Sequence, residues 1–595
     1  MQCNSPLVSQ ITFTNNPDGS GRMTTTKSYD NLNRLTAISS APSASSAVTF
    51  NYTYNSANQR TRRTESDSSY WSYQYDTLGQ VTSGKKYWSD MTPVAGQQFE
   101  YGHDDIGNRT QTKAGGDASG AGLRPASYTA NNLNQYTQRT VPGTNDVIGA
   151  AIATNNVTVN GVTAYRKVEY FQALAGTNNA SAPAWLVVTV SSGGQSVTGN
   201  VFVARSPETF GYDADGNMTN DGRWALTWDA ENRLTKAESL SSGPTASKRK
   251  VEWTYDAKGR RIRQTTSDGS SGSYVVTEDL KFLSDGWRHI AELNATNNSL
   301  IRSYVWGLDL SGSLDGAGGV GGLLMLNSAA NGVHFYAYDG NGNVAALVKA
   351  SDGTASANYE YEPFGVTLRA TGLMAKENPF RFSTKRTDNT TDFALYEMRI
   401  YVPSTGRWPN RDPIGEQGGL GLYTFLGNDP DNSYDPLGLA EDPAPDIINQ
   451  GNEIYYRLNQ KWFEHPADEG KPCCCDPSAK LTKFVRTDSP PTVGADDGTL
   501  HFKVEYKLEG CFKDASTIWA TCTRPSNGTG YKLESGRIPR CDGADSCDLT
   551  LPKEWGPELS IATIRYLSCE KGKWVVRKAK AGLTYIWTGK TWQAN

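Results

Sequence analysis

The sequence predicts an all-β protein: a long array of repeated hairpins, then a smaller, cysteine-rich and mainly β domain. Three observations lead there. An aromatic residue followed by Asp or Asn, two variable residues and then Gly or Asn recurs from Tyr29 to Gly365. The chain carries 59 Gly, 30 Tyr and 15 Trp, a composition that favours tight turns and short strands over helices. After Leu439 the text changes abruptly, and eight of the 9 cysteines lie beyond it. At 595 residues the chain exceeds what one core normally serves, so several units are expected.

The first part of the array occupies 1–149. Its units are Tyr29-Asp30 with Asn33-Arg34, Tyr54-Asn55 with Asn58-Gln59, Tyr75-Asp76 with Gly79, and Asp105-Ile106-Gly107-Asn108-Arg109. The second part, 206–377, continues with Tyr212-Asp213, Trp228-Asp229, Tyr255-Asp256 and Tyr338-Asp339, each followed by its Gly or Asn, and ends at Tyr361 and Phe364-Gly365. Alternating aromatics bury one face of a strand. Asp or Asn bonds the turn backbone, and Gly or Asn accepts the positive φ that a tight turn needs. A single hairpin cannot bury its own face, so neighbours must stack into a continuous sheet. The tyrosines and aspartates of the repeats are therefore assigned to packing and turns, not to catalysis.

Two segments interrupt the theme. Residues 150–205 are rich in Thr, Val and Asn, with alternating runs and Asn-Gly and Gly-Gly turns, and read as an inserted small β domain. Leu314–Leu324 is glycine-rich, but no Gly-Lys-Ser/Thr follows it. It reads as a strand-linking loop rather than a phosphate cradle.

The stretch 378–439 closes the array with motifs in fixed order: Pro379-Phe380-Arg381-Phe382, Tyr396, Arg399-Ile400-Tyr401, Thr405-Gly406-Arg407-Trp408, Arg411-Asp412-Pro413-Ile414-Gly415, Gly427-Asn428-Asp429-Pro430 and Asp435-Pro436-Leu437-Gly438-Leu439. It resembles the RHS-repeat-associated core of RHS/YD-repeat proteins, a polymorphic toxin family that includes the C subunits of insecticidal toxin complexes and is similar to teneurin-type YD shells. The resemblance implies a spiralling β-hairpin shell that closes around a variable C-terminal cargo. It also implies an intramolecular aspartyl protease, with Asp412 and Asp435 as the catalytic pair, Arg411 as the neighbouring basic residue and Leu439–Ala440 as the bond cut. Two carboxyls held together in a dry interior do not both ionise: one keeps its proton as an acid while the other activates water. From the residues alone, Asp-Pro is also an ordinary turn opener, a third one stands at Asp429-Pro430, and Asp429 and Asp431 are alternative carboxylates.

Residues 440–595 form the variable domain. A short amphipathic helix is expected over Ile447–Phe463, followed by strands. Cys473, Cys474, Cys475, Cys511, Cys522, Cys541, Cys547 and Cys569 are disulfide candidates in an oxidising destination, with about 105 possible pairings. No pair of C-x-x-C motifs marks a zinc site, and no metal or cofactor is predicted. His465 and His501 belong to no recognised catalytic motif. The basic, aromatic end from Lys571 to Trp592 reads as a solvated strand face over a packed underside.

A net charge of -4 provides no electrostatic case for nucleic acid or an anionic membrane as partner. No charged-then-apolar leader opens the chain, and no run approaches the ~20 apolar residues of a membrane span. We expect a secreted or cell-surface protein that is a C-terminal portion of a longer chain or is exported by a dedicated system. The repeat text is also short for a closed wall around a guest of about 15 Å radius of gyration, which implies a missing upstream part or an open shell. Two functions remain open. One is a toxin-delivery shell that releases its C-terminal effector, with the effector as cargo and a secretion system or immunity protein as partner. The other is a surface adhesion or recognition protein whose disulfide-bonded tail binds a glycan or another cell-surface ligand.

Overall fold

The computed structural model describes residues 8–15, 18–419, 421–439 and 442–443, and the backbone of the strands from Glu453 to Ala594. The chain divides into two compact units, 1–449 and 450–595.

The repeat unit explains the first of these. At Tyr255-Asp256 the Asp256 carboxylate accepts the N–H groups of Lys258 (2.8 Å) and Arg260 (3.0 Å), and Gly259 adopts a φ of 80°. The same turn recurs at Asp30, Asn55, Asp76, Asn131, Asp213, Asp229 and Asp339. In the fourth unit the turn residue is Asp104 rather than Asp105. The tyrosine before the turn reaches back to the preceding repeat: Tyr54, Tyr75, Tyr255 and Tyr361 donate their hydroxyls to the carbonyls of Leu35, Arg60, Leu234 and Val344 at 2.6–2.8 Å. Turn, aromatic and neighbour are thus one hydrogen-bonded unit that leaves few buried polar groups unmatched. Strand register slips by one residue beside these aromatics, at Thr53/Tyr54, Gln74/Tyr75 and Thr254/Tyr255. Such bulges increase the local right-handed twist and make a long meander coil.

Two antiparallel sheets result. One has 12 strands, from Gln10–Thr14 to Tyr136–Arg139 and then Glu208–Thr209; the other has 14, from Gly211–Tyr212 to Thr367–Thr371. Between them in sequence, residues 144–203 form separate sheets of 3 and 4 strands, so the insert begins at Thr144 rather than Ala150. Its first strand pairs with Tyr170–Gly176, a partner too distant in sequence for local alternation to reveal. Of Leu314–Leu324, residues 314–322 lie in the loop between the strands Leu300–Trp306 and Leu323–Ser328, and the last two residues begin the second strand.

Residues 378–439 contribute little regular structure but much of the core. Phe380, Phe382, Tyr396, Tyr401, Trp408 and Phe425 pack with Tyr304, Leu326, Tyr336 and Leu347 of the second sheet. Phe393, Leu395 and Ile400 join Tyr128 and Tyr136 of the first sheet and Trp224 and Trp253 of the second. The segment also hydrogen-bonds to the row of repeat turns. Arg407 donates to Asn134 O and Asn108 Oδ1, Asn428 to Gly107 O, Asn432 to Tyr75 Oη, and Tyr423 to Gly216 O.

In the second unit, Glu453–Leu458 and Lys461–Pro466 pair as an antiparallel hairpin, with Tyr456 opposite Phe463. This corrects the helix expected over Ile447–Phe463, whose first residues lie outside the described ones. Over so short a window the apolar residues satisfy either period, and the Tyr and Trp content favours the strand. The remaining strands form sheets of 4 and 5. Cys473, Cys474, Cys475, Cys511 and Cys541 lie outside the described residues. So do the side chains of Cys522, Cys547 and Cys569 and every pairing expected of them. Among the described residues no helix is long and apolar enough to cross a membrane.

Candidate active site at the end of the repeat array

Asp412 and Asp435 meet at one cation, Arg399. Its Nη2 lies 2.9 Å from Asp412 Oδ2 and 3.6 Å from Asp435 Oδ2. All three are buried: Arg399 is 4% exposed, Asp412 8% and Asp435 2%. The Arg399 guanidinium lies over the Trp408 ring, 4.1 Å from its centre, and Trp408 is held edge-on by Tyr396. The aromatic core of the segment therefore fixes the cation between the carboxyls.

Each aspartate is set by its own turn. Asp412 Oδ1 accepts the Ile414 N–H at 3.0 Å, and the Asp412 carbonyl accepts the Gly415 N–H. Asp435 Oδ1 collects three successive N–H groups, from Leu437 (3.1 Å), Gly438 (2.7 Å) and Leu439 (3.1 Å). The Asp-Pro-x-Gly-Leu motif is thus a carboxylate with its own chain folded around it. Gly438, at a φ of 82°, makes that fold possible; a Cβ there would also press on Tyr396 and the Arg399 backbone.

The same strand is gripped from outside. Lys385 Nζ donates to the Pro436 carbonyl at 2.7 Å, Met398 N–H to that of Leu437 at 2.9 Å, and Arg399 Nε to that of Gly438. The next carbonyl, that of Leu439, stands beside Asp412. A Cβ on Gly418 would strike both Asp412 Oδ2 and the Leu439 oxygen, so Gly418 is the gap that lets the two approach.

Burial pushes the Asp435 carboxyl above the ordinary range; Arg399 and the three N–H bonds only partly counter it. Burial also lowers the pKa of Arg399, opposed by the two aspartates. One cation between two buried carboxyls is neutral overall when the pair holds a single proton, and that proton belongs to the pair.

The sequence named both aspartates and the bond's Leu439 side; Ala440 lies outside the described residues. Its choice of basic residue does not hold. Arg411 is exposed and lies against the Gly216 turn, whereas Arg399 carries the guanidinium between the carboxyls. The Asp-Pro turn orients Asp412 inward and its predecessor outward. The alternatives, Asp429 and Asp431, lie elsewhere, beside Asn432, Arg60 and Arg63. Arg399 was visible in the Arg-Ile-Tyr motif, and only the fold brings it to the aspartates.

No family model matches the chain. It is 28% identical over 237 residues to the tRNA3(Ser)-specific nuclease WapA of Bacillus spizizenii, covering 39% of this chain and 9% of that one. It is 28% identical over 263 residues to the double-stranded DNA deaminase toxin A of Burkholderia cenocepacia, covering 41% and 18%. It is 27% identical over 256 residues to toxin subunit YenC2 of Yersinia entomophaga, covering 40% and 25%. The chain is similar to these RHS/YD-repeat toxins over about two fifths of its length. It spans a quarter or less of the length of these three relatives. The solved TcdB2-TccC3 structure aligns with 71% of the chain and 22% of its own, at 17% identity and a TM-score of 0.31.

Proposed function

We propose that residues 378–439 are a self-cleaving module that cuts Leu439–Ala440 and frees residues 440–595 from the repeat array. The observation that carries this is the meeting of Asp412 and Asp435 at Arg399, with the Leu439 carbonyl on the Gly418 side of Asp412. One carboxyl of the pair gives the shared proton to the Leu439 oxygen while the other carboxylate takes a proton from an attacking water. The tetrahedral intermediate then collapses: the C–N bond breaks, the Ala440 nitrogen takes the proton gained from water, the proton on the Leu439 oxygen returns to the pair, and Leu439 keeps the water oxygen in its new carboxylate. Positioning accounts for much of the rate, because the bond is part of the same chain and the Leu439 N–H is held by Asp435.

By analogy with relatives named as a nuclease, a deaminase toxin and a toxin subunit, the freed domain is a toxic effector delivered to a competitor or host cell. Timed incubation of the purified chain tests the cleavage. The first-order rate should follow a bell-shaped pH profile, with its alkaline limb above the ordinary carboxylate range. Asp435→Asn should slow it by about 10²–10⁴-fold. A rate that Asp435→Asn leaves unchanged rules the pair out. Growth arrest on cytoplasmic expression of residues 440–595 supports the effector role, and normal growth at high expression counts against it.

A further inference from the structure

We propose that Lys385, paired with Glu397 and backed by the glycine loop at Gly318, is a positioning residue for this cleavage. It holds the Pro436 carbonyl and so sets the register in which Leu439 meets the aspartates. The inference rests on the self-cleavage reading above.

Lys385 is 3% exposed, and its ammonium has four acceptors: Pro436 O at 2.7 Å, Glu397 Oε2 at 2.8 Å, Glu397 Oε1 at 3.1 Å and Gly318 O at 3.1 Å. Glu397 balances the buried charge, so the ammonium remains a strong donor to the strand. The loop side is equally defined. Asp309 Oδ2 accepts the N–H groups of Ala317 (2.7 Å) and Gly319 (3.2 Å), the residues on either side of Gly318. Gly318 has a φ of 59°, and a Cβ there would overlap the Pro436 carbonyl. Ala317 and Val320 pack with Tyr434, just ahead of Asp435. The loop that interrupts the repeats therefore supports the strand to be cut.

Register is at stake because the carbonyls of Pro436, Leu437 and Gly438 are each held by a different donor, and Leu439 is the next in line. Lys385 is the first grip and touches neither aspartate in doing so. Loss of that grip lowers the share of time in which Leu439 faces Asp412, and a misplacement of ~1 Å costs about 10²-fold in rate.

The test uses the full chain and measures cleavage rate against pH for the parent, Lys385→Met, Lys385→Arg and Gly318→Ala. Lys385→Met is expected to slow cleavage by about 10–10²-fold with the shape of the pH profile unmoved, because Arg399 and burial set the pair's proton. Lys385→Arg keeps a cationic donor and should recover rate. Gly318→Ala removes no charge or donor yet displaces the Pro436 carbonyl, and should slow cleavage as well. Thermal unfolding of each variant in an Asp435→Asn background separates misfolding from misplacement. Folded Lys385→Met and Gly318→Ala chains that cut at the parent's rate overturn the inference while leaving self-cleavage standing. A parent that does not cut removes both.

Discussion

Arg399 is the residue on which the site depends. Among the described residues it is the guanidinium in contact with both buried carboxyls, and its removal takes away the cation they share. Arg399 lowers the Asp435 pKa against the effect of burial, so Arg399→Met should raise it further. The alkaline limb of the cleavage profile should then move to higher pH, and the rate should fall by about 10²-fold or more. Arg411→Ala is the matching control. Arg411 is exposed, so its loss should change stability by no more than about 0.5 kcal/mol and leave cleavage intact. A pH–rate series on the two variants checks both expectations. The contrast shows what was legible at this scale. The resemblance named the paired aspartates, and each stands in an Asp-Pro-x-Gly turn whose chemistry is local. The cation could not be named, because adjacency to Asp412 favoured Arg411, whereas Arg399 is the arginine that the folded segment stacks on Trp408.

The elements are joined by buried ion pairs as well as by aromatic packing. Glu292 of the strand Arg288–Asn294 is fully buried and pairs with Arg386 of the closing segment and with Arg302, while Tyr304 donates to it at 2.6 Å. Burial alone would raise its pKa, but the two arginines outweigh burial and hold it below the usual value. A depressed folded pKa contributes stability that is present above the unfolded pKa of about 4.5 and lost as pH falls through the folded one. Urea midpoints should therefore drop on acidification below that range. Arg386→Met, which removes one of the buried carboxylate's two cations, should cost about 3 kcal/mol at neutral pH. An unchanged midpoint would mean that the pair does not join the closing segment to the sheet. At this scale the repeats were readable because Tyr, Asp and Gly act within a few residues of one another. The hairpin at Glu453–Leu458 and Lys461–Pro466 was not, since helix and strand periods coincide over so few residues. The start of the insert at Thr144 was hidden because its pairing partner lies beyond the next three strands.

Across the first unit, the closing segment shares core with both sheets and bonds to the row of turns, so the proposed site forms only when the array is folded. The proposed cleavage is thus tied to completion of the fold. Trp408→Ala, which opens the core beside Arg399, should cost about 3–5 kcal/mol and reduce cleavage together with stability. The most direct measurement is the intact mass of the purified chain, made after folding in heavy-oxygen water, beside Asp412→Asn. The expected result is two fragments from the parent, the larger ending at Leu439 with heavy oxygen in its new carboxylate and the smaller beginning at Ala440, and a single uncut mass from the variant. One uncut mass in both, or a cut that Asp412→Asn leaves unchanged, would contradict self-cleavage by the Asp412–Asp435 pair.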